Sequence, residues 1–496
     1  IGRRGPSLPE SIKMPGTEPR PFMSLRFYQK PFLPMVLPMP SLSRIFALAL
    51  PLAVFGVSLA APARANPFEH TLSNGLRVIV KEDRRAPTAV HMVWYRVGSM
   101  DELNGTTGVA HLLEHMMFKG TPTVGGGEFN RLVAAAGGVD NAFTSHDYTA
   151  YFQQVPSREL EQMMRLEADR MRHLTLSPQE FDQEIKVVME ERRLRTDDQP
   201  PAALSEQMHA VAFQEHPYRV PVIGWMNDLK AMTVQDARDW YERWYVPNNA
   251  YVVVVGDVNH QDVFRMAEAY YGPLAARQLP VRKPQGEPSQ MGTKRLMFKA
   301  PADLPVVMMA YKVPVLRDVE KDVDPYALEM LAAVLDGHDA ARFSRRLVRE
   351  QRLAVSAGVG YDAVARGPGL FYLQGSPSAG RTRAELEGGF RAEIARIAKD
   401  GVSEEELARA RAQLVAGEVY KRDSMFAQAM EIGQLESAGI SYQQEHWLLE
   451  KLRAVTAEQV QAVVCRYLVD DGLTVAELDP QPLPEGQRRP GVAGRH

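Results

Sequence analysis

The chain has 496 residues, 45% hydrophobic and 24% charged, within the ordinary range of folded soluble proteins and long enough for more than one domain. A formal net charge of −3 argues against nucleic acid as a dominant partner. The single cysteine, Cys465, excludes an intrachain disulfide and any cysteine-based metal site, so histidines and carboxylates must supply metal ligands. Its place in the apolar run Val463-Val464-Cys465 predicts a packing role.

Residues 1–38 begin at Ile1 and carry a proline-rich run, Pro31 to Pro38, without helical or strand period. They read as a translation-start artefact or a disordered leader. From Met39, Arg44 supplies a basic segment, Ile45 to Leu59 an apolar one, and Ala63-Arg64-Ala65 a small-x-small cleavage site. Residues 39–65 therefore read as a signal peptide, which places a mature chain from Asn66 in a bacterial periplasm. An uncleaved membrane anchor is the alternative, though the apolar run is short for a span.

Further along, His111-Leu112-Leu113-Glu114-His115 sits in a helix-compatible run opened by Gly108 and stopped by Gly120-Thr121-Pro122. Positions i and i+4 share a helix face, so both imidazoles can reach one ion. Glu114 lies close to that face as a possible base. Two neutral imidazoles suit zinc, and a hydrolytic site needs a third protein ligand plus an open position. The order inverts the H-E-x-x-H arrangement of zinc peptidases. Two surface histidines beside a solvated glutamate are the bland alternative.

A third ligand is expected from the helix opened by Ser177-Pro178-Gln179-Glu180, which reads as a capping box with proline at the first helical position. Glu184 and Glu191 are seven apart and share a face, whereas Glu190 points about 100° away from Glu191. An exposed acidic helix paired with Arg192, Arg193 and Arg195 would explain the same residues without a metal.

With these motifs, the chain resembles the pitrilysin/insulinase zinc peptidases, which include the mitochondrial processing peptidase and bacterial two-subunit peptidases. The likeness extends over Thr71–Val80, Gly98–Glu102 and Gly137–Thr149. It implies that His111, His115 and Glu191 hold one Zn2+, that Glu114 is the general base activating water, and that Glu184 orients a ligand imidazole or the metal's water. It further implies that Asn141, Ala142, Phe143, Thr144 and Ser145 form an edge strand receiving peptide substrate by strand addition.

The second half repeats the first. Thr233–Val246 aligns with Thr456–Val469 at an offset of 223, each a helix before a probable strand, and Leu176–Phe181 aligns with Val402–Leu407 at 226. The expected fold is α+β: two homologous duplicated α/β-sandwich domains, each an antiparallel-rich sheet packed with helices. Pro280 to Pro288 is rich in proline, glycine and charge and marks a linker. The expected boundaries are a catalytic domain at 66–279, a linker at 280–294, a non-metal domain at 295–483 and a disordered tail at 484–496.

At the 226 offset, Glu184 falls on Ala410 and Glu191 on Gly417, so the second copy lacks the acids. The resemblance also predicts an arginine followed seven residues later by a tyrosine that helps hold the oxyanion. Here Val355 stands where the tyrosine is expected, in a segment after Arg349 that is one residue short; Tyr361 is the possible displaced substitute. A homologous partner carrying an arginine–tyrosine pair, or a second copy of the chain, would complete the site. The leading expectation is a zinc endopeptidase cleaving peptides or unfolded segments. The alternatives are a non-catalytic core subunit and a peptide-capture module.

Overall fold

Alternating and fully apolar runs in the first half pair into one six-stranded sheet. Its strands are β1 (Phe68–Thr71), β2 (Arg77–Glu82), β3 (Thr88–Tyr95), β4 (Val139–Thr144), β5 (Thr149–Pro156) and β6 (Ala250–Gly256). The order is β1-β2-β6-β3-β5-β4, with β2 and β6 parallel and the other neighbours antiparallel. Strand β6, Ala-Tyr-Val-Val-Val-Val-Gly, is buried along its whole length, as a central strand covered on both faces must be. Strand β4 forms an open edge. This computed structural model describes residues 66–483, so the expectations for 1–38, 39–65 and 484–496 lie outside the described residues. Among the described residues, no helix is long and apolar enough to cross a membrane.

The helices of this half are α1 (Val109–Met116), α2 (Glu128–Ala135), α3 (Leu160–His173), α4 (Pro178–Arg192), α5 (Pro200–Ala212), α6 (Met226–Ala231), α7 (Val234–Trp244) and α8 (His260–Tyr270). Leu112, Leu113, Met164, Met171, Trp240 and Val263 from these helices pack with Val78, Val93 and Tyr95 on one face of the sheet.

The second half has five strands, β7 (Lys294–Pro301), β8 (Val306–Val313), β9 (Ala354–Gly360), β10 (Gly369–Pro377) and β11 (Leu473–Gln481). Their order is β7-β11-β8-β10-β9, with β7 and β11 parallel. That is the order β2-β6-β3-β5-β4 repeated, so the duplication read from two short alignments extends to five strands, with β1 the addition of the first half. Helices α9 (Asp324–Asp336), α10 (Arg383–Asp400), α11 (Glu404–Lys421), α12 (Met425–Ser437), α13 (Glu445–Ala454) and α14 (Ala457–Tyr467) complete this half. Tyr326, Leu331, Phe390, Ile397, Leu407 and Val464 form its main core with Met309, Phe371 and Val475.

Each half covers the other's remaining sheet face. Leu204 and Met208 of α5 pack on Met308, Ala310, Ala476 and Leu478 of the second sheet. Met425, Ala429, Met430 and Ile432 of α12 pack on Ile79, Met92, Trp94, Tyr251 and Val253 of the first. Both helices are 13 residues long and begin 225 residues apart, so this exchange is itself part of the duplication. The approach of α12 is close enough to require glycine. A Cβ on Gly433 would lie 2.1 Å from the buried Trp94 ring, and Tyr251 Oη donates to Gly433 O at 2.6 Å.

Polar ties reinforce the join. Glu287 in the linker accepts from the backbone N–H groups of Gln214, Glu215 and His216 at 2.9–3.0 Å and from Lys312 Nζ of β8 at 2.5 Å. Arg366 reaches across from the second half to Asp101 at 3.0 Å and to the backbone of Asp147 at 3.1 Å.

Candidate metal centre

Helix α1 begins where only glycine fits. Gly108 has φ +90°, and a Cβ there would meet Ile223 O at 2.6 Å. No side chain at Gly108 can cap the helix, and a distant carboxylate does so instead. Glu102 accepts from the N–H groups of Gly108 and Ala110, both at 2.8 Å. Burial pushes the Glu102 carboxyl up to about 8 against the pull of these two bonds. Asp228 organises the preceding turn by accepting from Thr107 Oγ1 at 2.6 Å. Burial of Leu112, Leu113 and Met116 then fixes the rotation of α1, which leaves His111, Glu114 and His115 half-buried on the remaining face.

Helix α4 faces them. Ser177 caps it by accepting from Glu180 N at 3.2 Å, with Pro178 in the first turn. Only this serine half of the expected capping box forms, whereas both halves form at Ser403 and Glu406 of α11. Phe181, Ile185 and Val188 bury one side of α4, which turns Glu184 and Glu191 toward α1. Glu190 points out, 57% exposed and paired with Arg193 at 2.8 Å.

The structure thus brings together His111 Nε2, His115 Nε2 and Glu191 Oε2. The carboxylate oxygen lies 3.3 Å from the His115 nitrogen and 3.9 Å from the His111 nitrogen. Among the described residues, these three form the one group of His, Cys or acidic side chains whose donor atoms all lie within 4.8 Å of one another. A tetrahedral ion bonded at about 2.0–2.1 Å holds its ligands about 3.3–3.4 Å apart, so this donor set fits zinc with little adjustment. Glu191 Oε1 is held by Arg195 at 2.5 Å, in a π-helical turn (Arg193–Asp197) that continues α4.

The surrounding groups are committed as well. His115 Nδ1 lies 2.9 Å from Glu184 Oε1, and the other Glu184 oxygen pairs with Lys119 Nζ. Lys119, just beyond the end of α1, is thus committed to Glu184. Thr144 Oγ1 of β4 donates to Glu114 Oε2 at 2.6 Å. Burial lowers His111 to about 4, with the neighbouring His115 adding to the effect. Burial also opposes protonation of His115, but bonds to Glu184 and Glu191 outweigh it and raise that imidazole to about 9. The Glu114 carboxyl is lifted to about 7 by burial, partly offset by the Thr144 bond.

Strand β4 includes Asn141, Ala142, Phe143 and Thr144, while Ser145 lies just beyond it. Alternation turns Ala142 toward the α1 side and Phe143 toward Trp94, Tyr148 and Phe152 on the other. Ser145 closes the turn into β5, its Oγ accepting from Asp147 N at 3.0 Å. In the second half, Arg349 donates to Asp339 O at 2.6 Å and Tyr361 Oη to Pro314 O at 2.7 Å, so both are engaged locally. Val355 on the edge strand β9 is 52% exposed. Cys465 is exposed, contrary to the packing role expected for it, because α14 turns Val463 and Val464 inward and Cys465 outward.

Comparison with known proteins gives the family. Residues 77–224 match the family model for insulinase, peptidase family M16, and residues 231–414 match that for the M16 inactive domain. A zinc protease, PqqE, from Helicobacter pylori is 36% identical over 326 residues, 64% of this chain and 72% of that protein. The chain belongs to the insulinase family, peptidase family M16. A probable mitochondrial-processing peptidase subunit beta from Arabidopsis thaliana is 26% identical over 429 residues, 84% of this chain and 79% of that one. The crystal structure of a protease from Helicobacter pylori superposes with a TM-score of 0.79 at 29% identity, covering 84% of this chain and all of that one. The inactive-domain match falls mainly on the half whose α11 carries Ala410 and Gly417 in place of the two acids.

Within this M16 chain, sequence reasoning missed Glu102 as the cap of α1 and Thr144 as the partner of Glu114, and it named Arg195 only as a partner of an exposed acidic helix, not as the clamp on Glu191. Only Arg195 had a local signal, its i+4 spacing from Glu191. The other two contacts join segments that no sequence period connects.

Proposed function

We propose that this M16 chain is a zinc-dependent endopeptidase that cleaves peptides or unfolded polypeptide segments. The observation that carries the reading is the convergence of His111, His115 and Glu191 beside a carboxylate, Glu114, that is not part of the donor set. His111, His115 and Glu191 would hold one Zn2+ per chain, with Glu184 fixing the His115 ring through Nδ1. When bound, zinc supplies Lewis acidity, polarising the scissile carbonyl and making an attacking water easier to deprotonate.

The chain's own groups do the remaining work. Glu114 accepts the proton of the attacking water and passes it to the leaving amine. The open edge of β4 at Asn141, Ala142, Phe143, Thr144 and Ser145 receives the substrate backbone as an added strand. Arg349 and Tyr361 are each hydrogen-bonded within the second half, which favours an oxyanion donor from another chain. A homologous partner, or a second copy, would bring an arginine–tyrosine pair to the metal site, since Val355 stands where this chain's own tyrosine is expected. The Arabidopsis relative named as a subunit supports a partnered arrangement. Export to the periplasm follows from the leader read at 39–65. The test is peptide cleavage by the purified chain, with and without its candidate partner, alongside Glu114→Gln. Cleavage that persists in Glu114→Gln would contradict the reading.

A further inference from the structure

We propose that the Thr144 hydroxyl is a positioning residue for Glu114, so that the strand receiving the peptide also sets the orientation of the base. The inference rests on the peptidase reading above and deepens it.

Strand alternation places Thr144 on the α1 face of β4, two residues after Ala142 and opposite in sense to Phe143. Its Oγ1 lies 2.6 Å from Glu114 Oε2, within the about 2.5–2.7 Å range of a hydroxyl bonded to an ionised carboxylate. This bond holds one oxygen of the Glu114 carboxylate. A glutamate has three side-chain torsions, and leaving them free would cost the base its alignment at each turnover. Thr144 itself is held. It pairs with Thr149 across β4 and β5, and Thr149, fully buried, donates through Oγ1 to Val97 O at 3.1 Å. A rigid chain of contacts therefore runs from the sheet interior through the edge strand to the carboxylate on α1. A peptide laid on β4 would therefore meet a base already oriented by the strand it joins.

The experiment compares Thr144→Val and Thr144→Ser in the full chain, with its homologous partner where cleavage requires one. Valine keeps the β-branch and volume without the hydroxyl; serine keeps the hydroxyl. The expected result for valine is a fall in kcat of about 10-fold or more with KM and zinc content near wild type, bounded above by the about 10²–10⁴-fold that a general base contributes. Serine should restore most of kcat. If valine does not fold, Thr144→Ala removes the same hydroxyl and carries the same expectation.

A raised KM with kcat intact would overturn the inference and make Thr144 a substrate contact. Equal losses in the valine and serine variants would overturn it in favour of a packing role, and unchanged kinetics would overturn it outright. The parent reading fails separately, if the wild type does not cleave or if Glu114→Gln still does.

Discussion

The two halves share a strand order and a reciprocal cover helix, yet among the described residues only one brings together side chains that could hold a metal. In the first, His111 and His115 on α1 meet Glu184 and Glu191 on α4. In the second, α11 carries Ala410 and Gly417 at the corresponding places, and its edge strand β9 exposes Val355. At those positions the second half keeps its core without acids: Ala410 is fully buried among its apolar residues, and Gly417 lies outside that core. Duplication therefore leaves one copy free to lose its donors while it goes on covering the first sheet with α12.

The comparison breaks most sharply at Glu114. Glu114→Gln should lower peptide cleavage by about 10²–10⁴-fold while leaving zinc content unchanged, since the amide keeps the shape and removes the base. Metal analysis and a quenched fluorescent peptide measure both; near-normal turnover would assign the base elsewhere.

The scaffold half is tested next by supplying what it lacks. Addition of a homologous chain with an arginine–tyrosine pair should raise cleavage by about 10²–10³-fold, the usual contribution of an oxyanion donor. Full activity of the isolated chain, unchanged by the partner, would instead point to a contact between two copies.

The join between halves yields a stability effect. Gly433→Ala places a methyl against the Trp94 ring, and overpacking of this kind costs about 1–3 kcal/mol. A lower thermal midpoint with zinc still bound is expected, and an unchanged midpoint would mean that α12 can shift away from the first sheet.

A smaller effect should appear with pH at Glu287. Burial opposes ionisation there, but N–H donors from Gln214, His216 and Glu215 together with Lys312 hold the carboxyl at about 2, below its ordinary 4.5. A carboxyl lowered in the folded state stabilises fully above its unfolded value, and the contribution fades as pH falls from about 4.5 toward 2. Glu287→Gln should therefore melt below wild type at pH 7, with the gap narrowing in melts at pH 3.5. A gap independent of pH would remove the charge from the account.

How far the sequence could be read follows from the range of each contact. The pairing of His111 with His115, the shared face of Glu184 and Glu191, and the cap at Ser177 all lie within two helical turns, where spacing alone decides them. The repeat at offsets of 223 and 226 was visible because capping residues recur. The cover exchanged between α5 and α12 was not, since nothing in a helix's own pattern says which sheet its apolar face will meet. Thr144 acts across folds of the chain and was hidden for the same reason, whereas Glu102 lies six residues before Gly108 across an irregular turn that no helix or strand period describes. Cys465 misled because two valines beside it are buried, and neighbours in a helix face different ways.

The central claim, that a single metal site lies in the first half on α1 and α4, is tested most directly by metal analysis of three proteins: wild type, Glu191→Gln and Glu190→Gln. The account predicts one zinc per chain in wild type, retention in the Glu190 variant, whose carboxylate faces solvent, and loss in the Glu191 variant. Zinc lost from the Glu190 variant and retained by the Glu191 variant would contradict it.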